Sequence, residues 1–464
     1  MTRSRSLNET ICAISTPIGE GGVGIVRISG PKSVEIADKI FCGRKVPSSL
    51  PTHTLCLGQI LQPETGQPID RVLLSVMRAP KSYTKEDVVE INSHAGSLIL
   101  RKILEAVIGL GARLAEPGEF TRRAFLNGRI DLCQAEAVIE IVRAKTEAAL
   151  KVGLSHLKGD ISKGIEGLRG EIIGLLAHLE ASIDFAEEDI ETISRQKLSL
   201  DLARIEKRIG RLIASNIEGK IIKEGIGTAL IGRPNVGKSS CLNVLLGRER
   251  AIVTPIAGTT RDTIEEAINL CGIPLRLIDT AGIGEAKNRI EEEGVRRSWA
   301  SFKEADLVLL ILDGSCPLQE EDLNIIEKAK EAKEMIILLN KSDLLEQISR
   351  SQIKSLLKRR RIVPTSAICK KGFDNLKEAI KEIFLKGVMI GTEEIMITNL
   401  RHKKLLEEAL TFISQGRKSL PGGLSEEFIA LDLKEALDKL GMITGQTVSE
   451  EILDEIFSRF CVGK

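Results

Sequence analysis

Aromatic side chains are scarce in this 464-residue chain: 3% of the total, with one Trp and one Tyr. Stacking of bases on exposed rings is therefore not expected to dominate any nucleic-acid contact. Neither sign of charge is in excess. The net charge is +1, so a nucleic-acid partner would meet a local patch and not a basic blanket. The densest basic spot, Lys358-Arg-Arg-Arg361, fits a solvated face ahead of a strand. The nine Cys contain no C-x-x-C pair, which points to reduced thiols and not to a disulfide framework. The five His, at 53, 94, 156, 178 and 402, show no metal-ligand spacing. No apolar stretch reaches the ~18 residues a membrane span needs. The start, Met-Thr-Arg-Ser-Arg-Ser-Leu, has no apolar run behind its charges, so no signal peptide is expected. A cytoplasmic protein with no membrane partner is the expectation. Proline is missing from Glu119 to Arg233, which predicts long helices there, with breaks near Gly153, Gly159 and Gly170. The length exceeds one ordinary core and predicts two or three domains.

What is present is led by Gly232-Arg-Pro-Asn-Val-Gly-Lys-Ser239, which fits the phosphate-binding pattern G-x-x-x-x-G-K-[ST]. A buried-strand run, Thr228 to Ile231, precedes it, and Ser240 to Leu246 can start a helix. Gly232 and Gly237 let the backbone curl so that its N–H groups converge. Lys238 brings a point charge for the β- and γ-phosphates, and the Ser239 hydroxyl is a hard ligand for Mg²⁺. Leu275-Arg-Leu-Ile-Asp279 then runs into Thr280, Ala281 and Gly282, a strand ending in an acid suited to the metal's outer shell. Asn340-Lys-Ser-Asp343 follows the apolar strand Met335 to Leu339. Asp343 can accept from N1–H and the 2-amino group of guanine, a donor pair that adenine lacks. Ser366-Ala367 follows Ile362-Val-Pro364 and is similar to the last guanine-contacting loop of GTPases. The order and strand context of these motifs predict a GTPase domain over about 223–386.

In the N-terminal part, Gly19-Glu-Gly-Gly-Val-Gly24 matches a dinucleotide fingerprint, G-x-G-x-x-G. That fingerprint needs a helix next, whereas Ile25-Val-Arg-Ile28 is β-branched and strand-like, with Arg27 mid-strand. Val72 to Val76 and Asp87 to Ile91 are further strands, the second carrying Glu90, and Leu98 to Leu110 has helical spacing. A small α+β domain ending near Pro117-Gly118 is expected. Helical spacing then takes over, at Ala135, Val138, Ile139 and Val142 and again at Ile172 to Ile183, with an acidic turn at Asp184 to Asp189. It returns after Gly391, and Thr447-Val-Ser-Glu450 has the form of a capping box. A helical domain interrupted by the GTPase domain would bring residues near 180 and 440 together.

Four stretches carry a resemblance across the whole chain: Gly21-Gly-Val-Gly-Ile-Val-Arg-Ile-Ser-Gly30, Pro117-Gly-Glu-Phe-Thr-Arg-Arg-Ala-Phe-Leu-Asn127, Asp131-Leu-Cys-Gln-Ala-Glu136 and the final Cys461-Val-Gly-Lys464. The chain closely resembles the MnmE (TrmE) family of tRNA-modification GTPases. The resemblance implies a multidomain α/β and α architecture. It has an N-terminal α+β folate-binding domain (1–119), a discontinuous helical domain (120–222 and 387–464) and an inserted P-loop GTPase domain (223–386) with a doubly wound, mostly parallel sheet. It further implies a homodimer joined through the N-terminal domains. The implied partners are the FAD-containing flavoprotein MnmG and tRNA. The implied chemistry places an aminomethyl or carboxymethylaminomethyl group on C5 of the wobble uridine. A tetrahydrofolate derivative of 5-formyl or 5,10-methylene type would supply the one-carbon unit.

By the same resemblance the GTP contacts are Asn235, Val236, Gly237, Lys238, Ser239 and Ser240, then Thr254, Thr259 and Thr260. Asp279, Thr280, Ala281 and Gly282 continue the set, which closes with Asn340, Lys341, Asp343, Ser366 and Ala367. Mg²⁺ would be held by Ser239 and Thr260. Many GTPases carry a Gln after the Asp-x-x-Gly motif; here Ile283 stands in that place. The resemblance assigns the catalytic role to Glu291, with Glu292 the choice if the register moves by one residue. It also implies a K⁺ in place of an arginine finger, held by the Asn235 side chain and the carbonyls of Thr254, Ile256 and Thr259. The folate contacts would be Arg27, Glu90, Arg129 and Lys464: an acid for the pterin edge and cations for the carboxylate tail. Cys461 would lie near the one-carbon unit and is left out of the catalytic set. Two positions depart from the family pattern, His94-Ala-Gly96 for His-Gly-Gly and Val462 for Ile. A GTPase switch without modification chemistry, such as a ribosome-assembly factor, is the alternative that the GTPase motifs alone leave open.

Overall fold

β1 (Ile11–Ile14) and β2 (Gly24–Ser29) pair antiparallel, Cys12 opposite Ile28 and Ala13 opposite Arg27. The glycine-rich turn between them therefore leads into a strand and not a helix, as its β-branched continuation requires. In the computed structural model the described residues are 8–184, 194–248, 267–270, 272–278, 302, 305–384, 395–421 and 425–464. They divide into two units, one drawn from 1–139, 156–192 and 425–464, the other from 140–155 and 193–424.

The first unit is built on a seven-stranded sheet. After α1 (Ser33–Ile40) come β3 (Phe41–Gly43), β4 (Thr54–Leu61), β5 (Pro68–Met77), β6 (Val88–Ser93), α2 (Ser97–Gly109) and β7 (Arg113–Leu114), in the spatial order β3-β4-β5-β6-β2-β1-β7. Side chains alternate faces along a strand. Val26 and Ile28 with Val89 and Ile91 therefore join Ile36, Ile40, Leu100 and Ile103 of α1 and α2 in one core. Each such fully buried side chain is worth roughly 1.5–3 kcal/mol. The same alternation turns Arg27 and Glu90, directly opposite each other in the β2–β6 register, to the other face. There Ile11 and Ala13 pack with Phe120 from α3 (Glu119–Leu126).

The helical run follows as α4 (Leu132–Arg143), α5 (Glu147–Leu157), α6 (Asp160–Asp184) and α7 (Arg195–Glu224). Of the three glycines expected to break it, only Gly159 does so, with φ +86° between α5 and α6. Gly153 and Gly170 sit inside α5 and α6. A mid-helix glycine costs about 1 kcal/mol but does not end a helix. Gly153 has a packing reason, since a Cβ there would lie 2.9 Å from Ile141. The acidic turn beyond Asp184 lies outside the described residues.

The second sheet contains β8 (Ile226–Ile231), β9 (Ala267–Leu270), β10 (Ile273–Ile278), β11 (Leu307–Asp313), β12 (Glu334–Asn340) and β13 (Arg361–Pro364), in the order β13-β12-β11-β8-β10-β9. All neighbours are parallel except β9 with β10. Helices cover both faces, so its strands read as continuous apolar runs. α8 (Lys238–Arg248) and the helix Phe373–Phe384 lie on one side, with α9 (Glu320–Ala329) and α10 (Arg350–Leu356) on the other. The helix Phe373–Phe384 is α11. It is followed by α12 (Leu400–Ser419), α13 (Glu426–Thr444) and α14 (Glu450–Ser458).

Within the first unit α6 packs along α13, with Glu180 2.9 Å from Lys434 and Arg169 donating to the Leu437 carbonyl. Within the second, α7 packs along α12, with Arg417 3.0 Å from Glu206. The expected capping box at Thr447 does not form. Ser449 is the N-cap of α14, and the Thr447 hydroxyl donates instead to the Asp438 carbonyl. No described helix is long and apolar enough to cross a membrane.

Candidate functional site

β8, buried at all six residues, delivers the chain to Gly232. From there to the start of α8 the backbone takes left-handed values at Gly232, Asn235 and Gly237, with φ of +154°, +63° and +98°. Alternating handedness of this kind turns successive N–H groups towards one point, a cradle for an anion at a helix N-terminus. Gly237 is required for a second reason: a Cβ there would stand 2.3 Å from the Asn340 amide nitrogen. That amide is the centre of the site. Asn340 Nδ2 donates to the Val236 carbonyl at 2.8 Å, and its Oδ1 accepts from the Ala367 N–H at 3.2 Å. One buried side chain thus ties together the loops that follow β8, β12 and β13, all at the carboxyl ends of parallel strands.

Lys238 Nζ donates to the carbonyls of Gly232 and Arg233, at 2.7 and 2.9 Å. Burial lowers its pKa from the usual lysine value. Among the described residues no carboxylate pairs with it, and a desolvated cation facing only carbonyl oxygens is matched by a phosphate. Asn235, Ser239 and Ser240 are exposed at the mouth of the loop. In the loop after β12, Ser342 N–H donates to the Thr365 carbonyl at 3.0 Å, and Asp343 is exposed beyond it. The Ser366 hydroxyl accepts from the Cys369 N–H at 3.1 Å. Lys341, at φ +62°, reaches Asp313 with Nζ–Oδ2 2.6 Å. Sequence reasoning did not single out Asp313; the Asp-Gly pair closing an apolar strand was its only signal. Thr254, Ile256, Thr259, Thr260, Asp279, Thr280, Ala281, Gly282 and Glu291 lie outside the described residues. β10 ends at Ile278, one residue before Asp279.

The second cluster lies in the N-terminal sheet. Arg27 Nε is 2.8 Å from Glu90 Oε1, and Arg27 Nη1 donates to the Gly463 carbonyl at 3.2 Å. The C-terminus is therefore docked and not frayed. Gly463, at φ +94°, lies so close to β1 that a Cβ would stand 2.4 Å from the Ile14 carbonyl. Gly118 N–H holds the Cys461 carbonyl, and Lys464 N–H turns back onto it. The Arg27 guanidinium also lies over the rings of Phe120 and Tyr83, at 5.5 and 5.8 Å.

Arg129 also lies over Tyr83, 5.1 Å from the ring centroid, and donates to the Ser82 carbonyl at 2.5 Å. It borders a cleft of about 550 Å³ lined by His53, Met77, Pro80, Lys81, Ser82, Tyr83 and Arg129. Arg27, Glu90 and the tail are thus in direct contact, and Tyr83 links them to Arg129. Tyr83 was missed; that it is the chain's one tyrosine was the available hint. Beneath the cluster a buried ion network fixes α3: Arg123 contacts Glu86 and Glu119 at 3.1 Å each, and Arg113 reaches Glu119 at 2.7 Å. Burial pushes the Glu119 carboxyl up. The hydrogen bonds of Arg113 and the Glu116 N–H, with the charges of Arg113 and Arg123, outweigh that and hold its pKa below the ordinary value. Among the described residues no group of His, Cys, Asp and Glu could hold a metal ion.

A family model described as the MnmE helical domain matches residues 132–461, and one described as the GTP-binding protein TrmE N-terminus matches residues 10–129. The tRNA modification GTPase MnmE of Acetivibrio thermocellus is 48% identical over 456 residues, covering 98% of this chain and 99% of that protein. The protein of the same name from Alkaliphilus oremlandii is 46% identical, covering 99% of this chain and all of its own length (100%). That from Geobacillus thermodenitrificans is 46% identical, covering 98% and 99%. Among solved structures, the G domain of the T. maritima FeoB iron transporter is 31% identical, covers 33% of this chain and 96% of that chain, and has a TM-score of 0.26.

Proposed function

Since the chain belongs to the MnmE family of tRNA-modification GTPases, and is a GTP hydrolase, we propose that its GTPase is activated by K⁺ and serves, with the flavoprotein MnmG, to modify C5 of the wobble uridine of certain tRNAs. The product would carry an aminomethyl or carboxymethylaminomethyl group. A homodimer acting in the cytoplasm, with domains at 1–119, 120–222 plus 387–464, and 223–386, completes the proposal.

The observation that carries it is the joining of Arg27 to both Glu90 and the Gly463 carbonyl. A GTPase that acts only as a switch has no use for a carboxylate–guanidinium pair capped by its own C-terminus. A tetrahydrofolate derivative supplies a one-carbon unit when bound. Glu90 would accept from the pterin N–H edge, while Arg129 and Lys464 would meet the carboxylate tail. The neighbouring cleft at Tyr83 and Arg129 supports this reading, because it offers an aromatic wall, cations and no carboxylate in its lining. Cys461, exposed at the start of the tail, would face the one-carbon unit.

In the GTPase part, Lys238 and the loop N–H groups would bind the phosphates, and Ser239 with Thr260 would hold Mg²⁺. Asn235, with the carbonyls of Thr254, Ile256 and Thr259, would hold K⁺, which places fixed positive charge where the β–γ bridge becomes negative. Glu291 would orient the attacking water, since Ile283 cannot. Asp343 would read guanine. Mass analysis of wobble uridines in cells lacking the protein tests the whole proposal. Loss of the C5 modification, restored by the intact chain, is the expected result. Full modification without the protein would favour the switch alone.

A further inference from the structure

Asp313 closes β11 and is 7% exposed. A carboxylate so buried needs partners for both oxygens. Oδ1 accepts from the Ser315 N–H at 3.0 Å and from its hydroxyl at 2.6 Å. Oδ2 takes the Lys341 ammonium at 2.6 Å. Burial pushes the acid's pKa up, but Lys341 and Ser315 outweigh it and hold the group below its ordinary value. The backbone repeats the link. Gly314 N–H donates to the Asn340 carbonyl, and the Gln347 N–H donates to the Gly314 carbonyl, both at 2.8 Å. Asp313 and Gly314 are thus tied to Lys341 and Asn340, the first by its side chain and the second by its backbone. Lys341 itself sits at φ +62°, a conformation that a non-glycine residue keeps only when its surroundings hold it there.

We propose that Asp313 is a positioning residue for base recognition: by pinning the Lys341 ammonium it lays that side chain's four-carbon stem as a fixed apolar wall for the base and holds Asp343 at the base edge. This rests on the reading of Asn340–Asp343 as the guanine site. Charge is essential to the role. A lysine of ordinary reach has three freely turning donors and keeps one geometry only when a strong acceptor selects it. Asp313 is buried and Lys341 is only partly open, so the ion pair is shielded from solvent on the side of the acid.

The test is a double-mutant cycle on the full chain, read by GTP hydrolysis kinetics and by GDP titration. Asp313→Asn keeps the shape and can still bond Ser315, but loses the charge that selects the lysine. It is expected to raise KM for GTP and weaken GDP binding about tenfold, the loss of one charge-assisted bond, with kcat within about twofold. Lys341→Met keeps an apolar stem without the ammonium. In that background Asp313→Asn is expected to cost less than about twofold, because the two residues act as a unit. An equal cost in both backgrounds would reduce Asp313 to a structural acid and overturn the inference, as would unchanged KM in Asp313→Asn. Asp343→Asn serves as the control. If it leaves GTP preference intact, the guanine-site reading itself has failed; if it behaves as expected while Asp313→Asn is silent, only the role of Asp313 has.

Discussion

Asp343 is exposed at the end of a loop whose other members are all committed: Asn340 to Val236 and Ala367, Lys341 to Asp313, Ser342 to Thr365. That leaves its carboxylate as the group available to a base. Asp343→Asn replaces one acceptor oxygen by a donor, so the mutant is expected to weaken GTP and to favour xanthosine triphosphate, whose 2-oxo group suits the new donor. Competition binding with the two nucleotides decides it, and an unchanged GTP preference would remove Asp343 from the base site. Glu119 is a residue of a different kind, a structural acid under the N-terminal cluster. Its folded-state pKa lies below its ordinary value near 4.5. The stability it contributes is therefore present above about pH 4.5 and lost as pH falls through the depressed value. Glu119→Gln should cost about 1–3 kcal/mol at neutral pH and flatten the loss of stability below pH 4.5. Urea unfolding at pH 7 and pH 4 checks both statements. An equal pH slope in mutant and parent would mean that another acid governs the acid limb.

At the scale of elements, the strands that lead to the two clusters were legible because their apolar runs are unambiguous, but their spatial order was not. β8, β11 and β12 are buried almost end to end, and β2 and β6 alternate cleanly enough to send Arg27 and Glu90 to one face. Helix ends were less so. Gly153 and Gly170 have the composition of breaks but lie within helices that tertiary packing sustains. Thr447 has the spacing of a cap, but its hydroxyl is taken by Asp438. The site residues split in the same way. The backbone turns at Gly232 and Gly237 were readable from a local motif, since such a loop needs a fixed backbone shape. Asp313 and Tyr83 were not, because their roles arise from a neighbour 28 residues away along the chain in one case and from two arginines far apart in the sequence in the other.

The segment from Thr254 to Thr260 and the run Glu291–Glu293 belong to this scale, as parts proposed to complete the phosphate loop. Replacing K⁺ by Na⁺, an ion too small for the proposed cage, should slow GTP hydrolysis strongly, and Asn235→Ala should abolish most of that dependence. Glu291→Ala should bind GTP yet lose one or two powers of ten in rate. Single-turnover rates in the two salts provide the measurement. Normal hydrolysis by Glu291→Ala beside a slow Glu292→Ala would shift the catalytic acid by one position.

For the molecule as a whole, the telling fact is that its last residues pack against its first sheet. Residues 27, 90 and 463 are distant in sequence and bonded in the fold, and the glycine that permits the approach has no room for a side chain. A near-neutral net charge and the scarcity of aromatics leave recognition to such assembled sites and not to a broad field or an aromatic platform. The central claim, that the two ends of the chain make one folate site, is tested most directly by calorimetry with 5-formyltetrahydrofolate on the chain lacking Cys461 to Lys464. Binding should be lost, while GTP is still bound and hydrolysed at the parent rate. Folate affinity equal to that of the full chain would contradict the joined site.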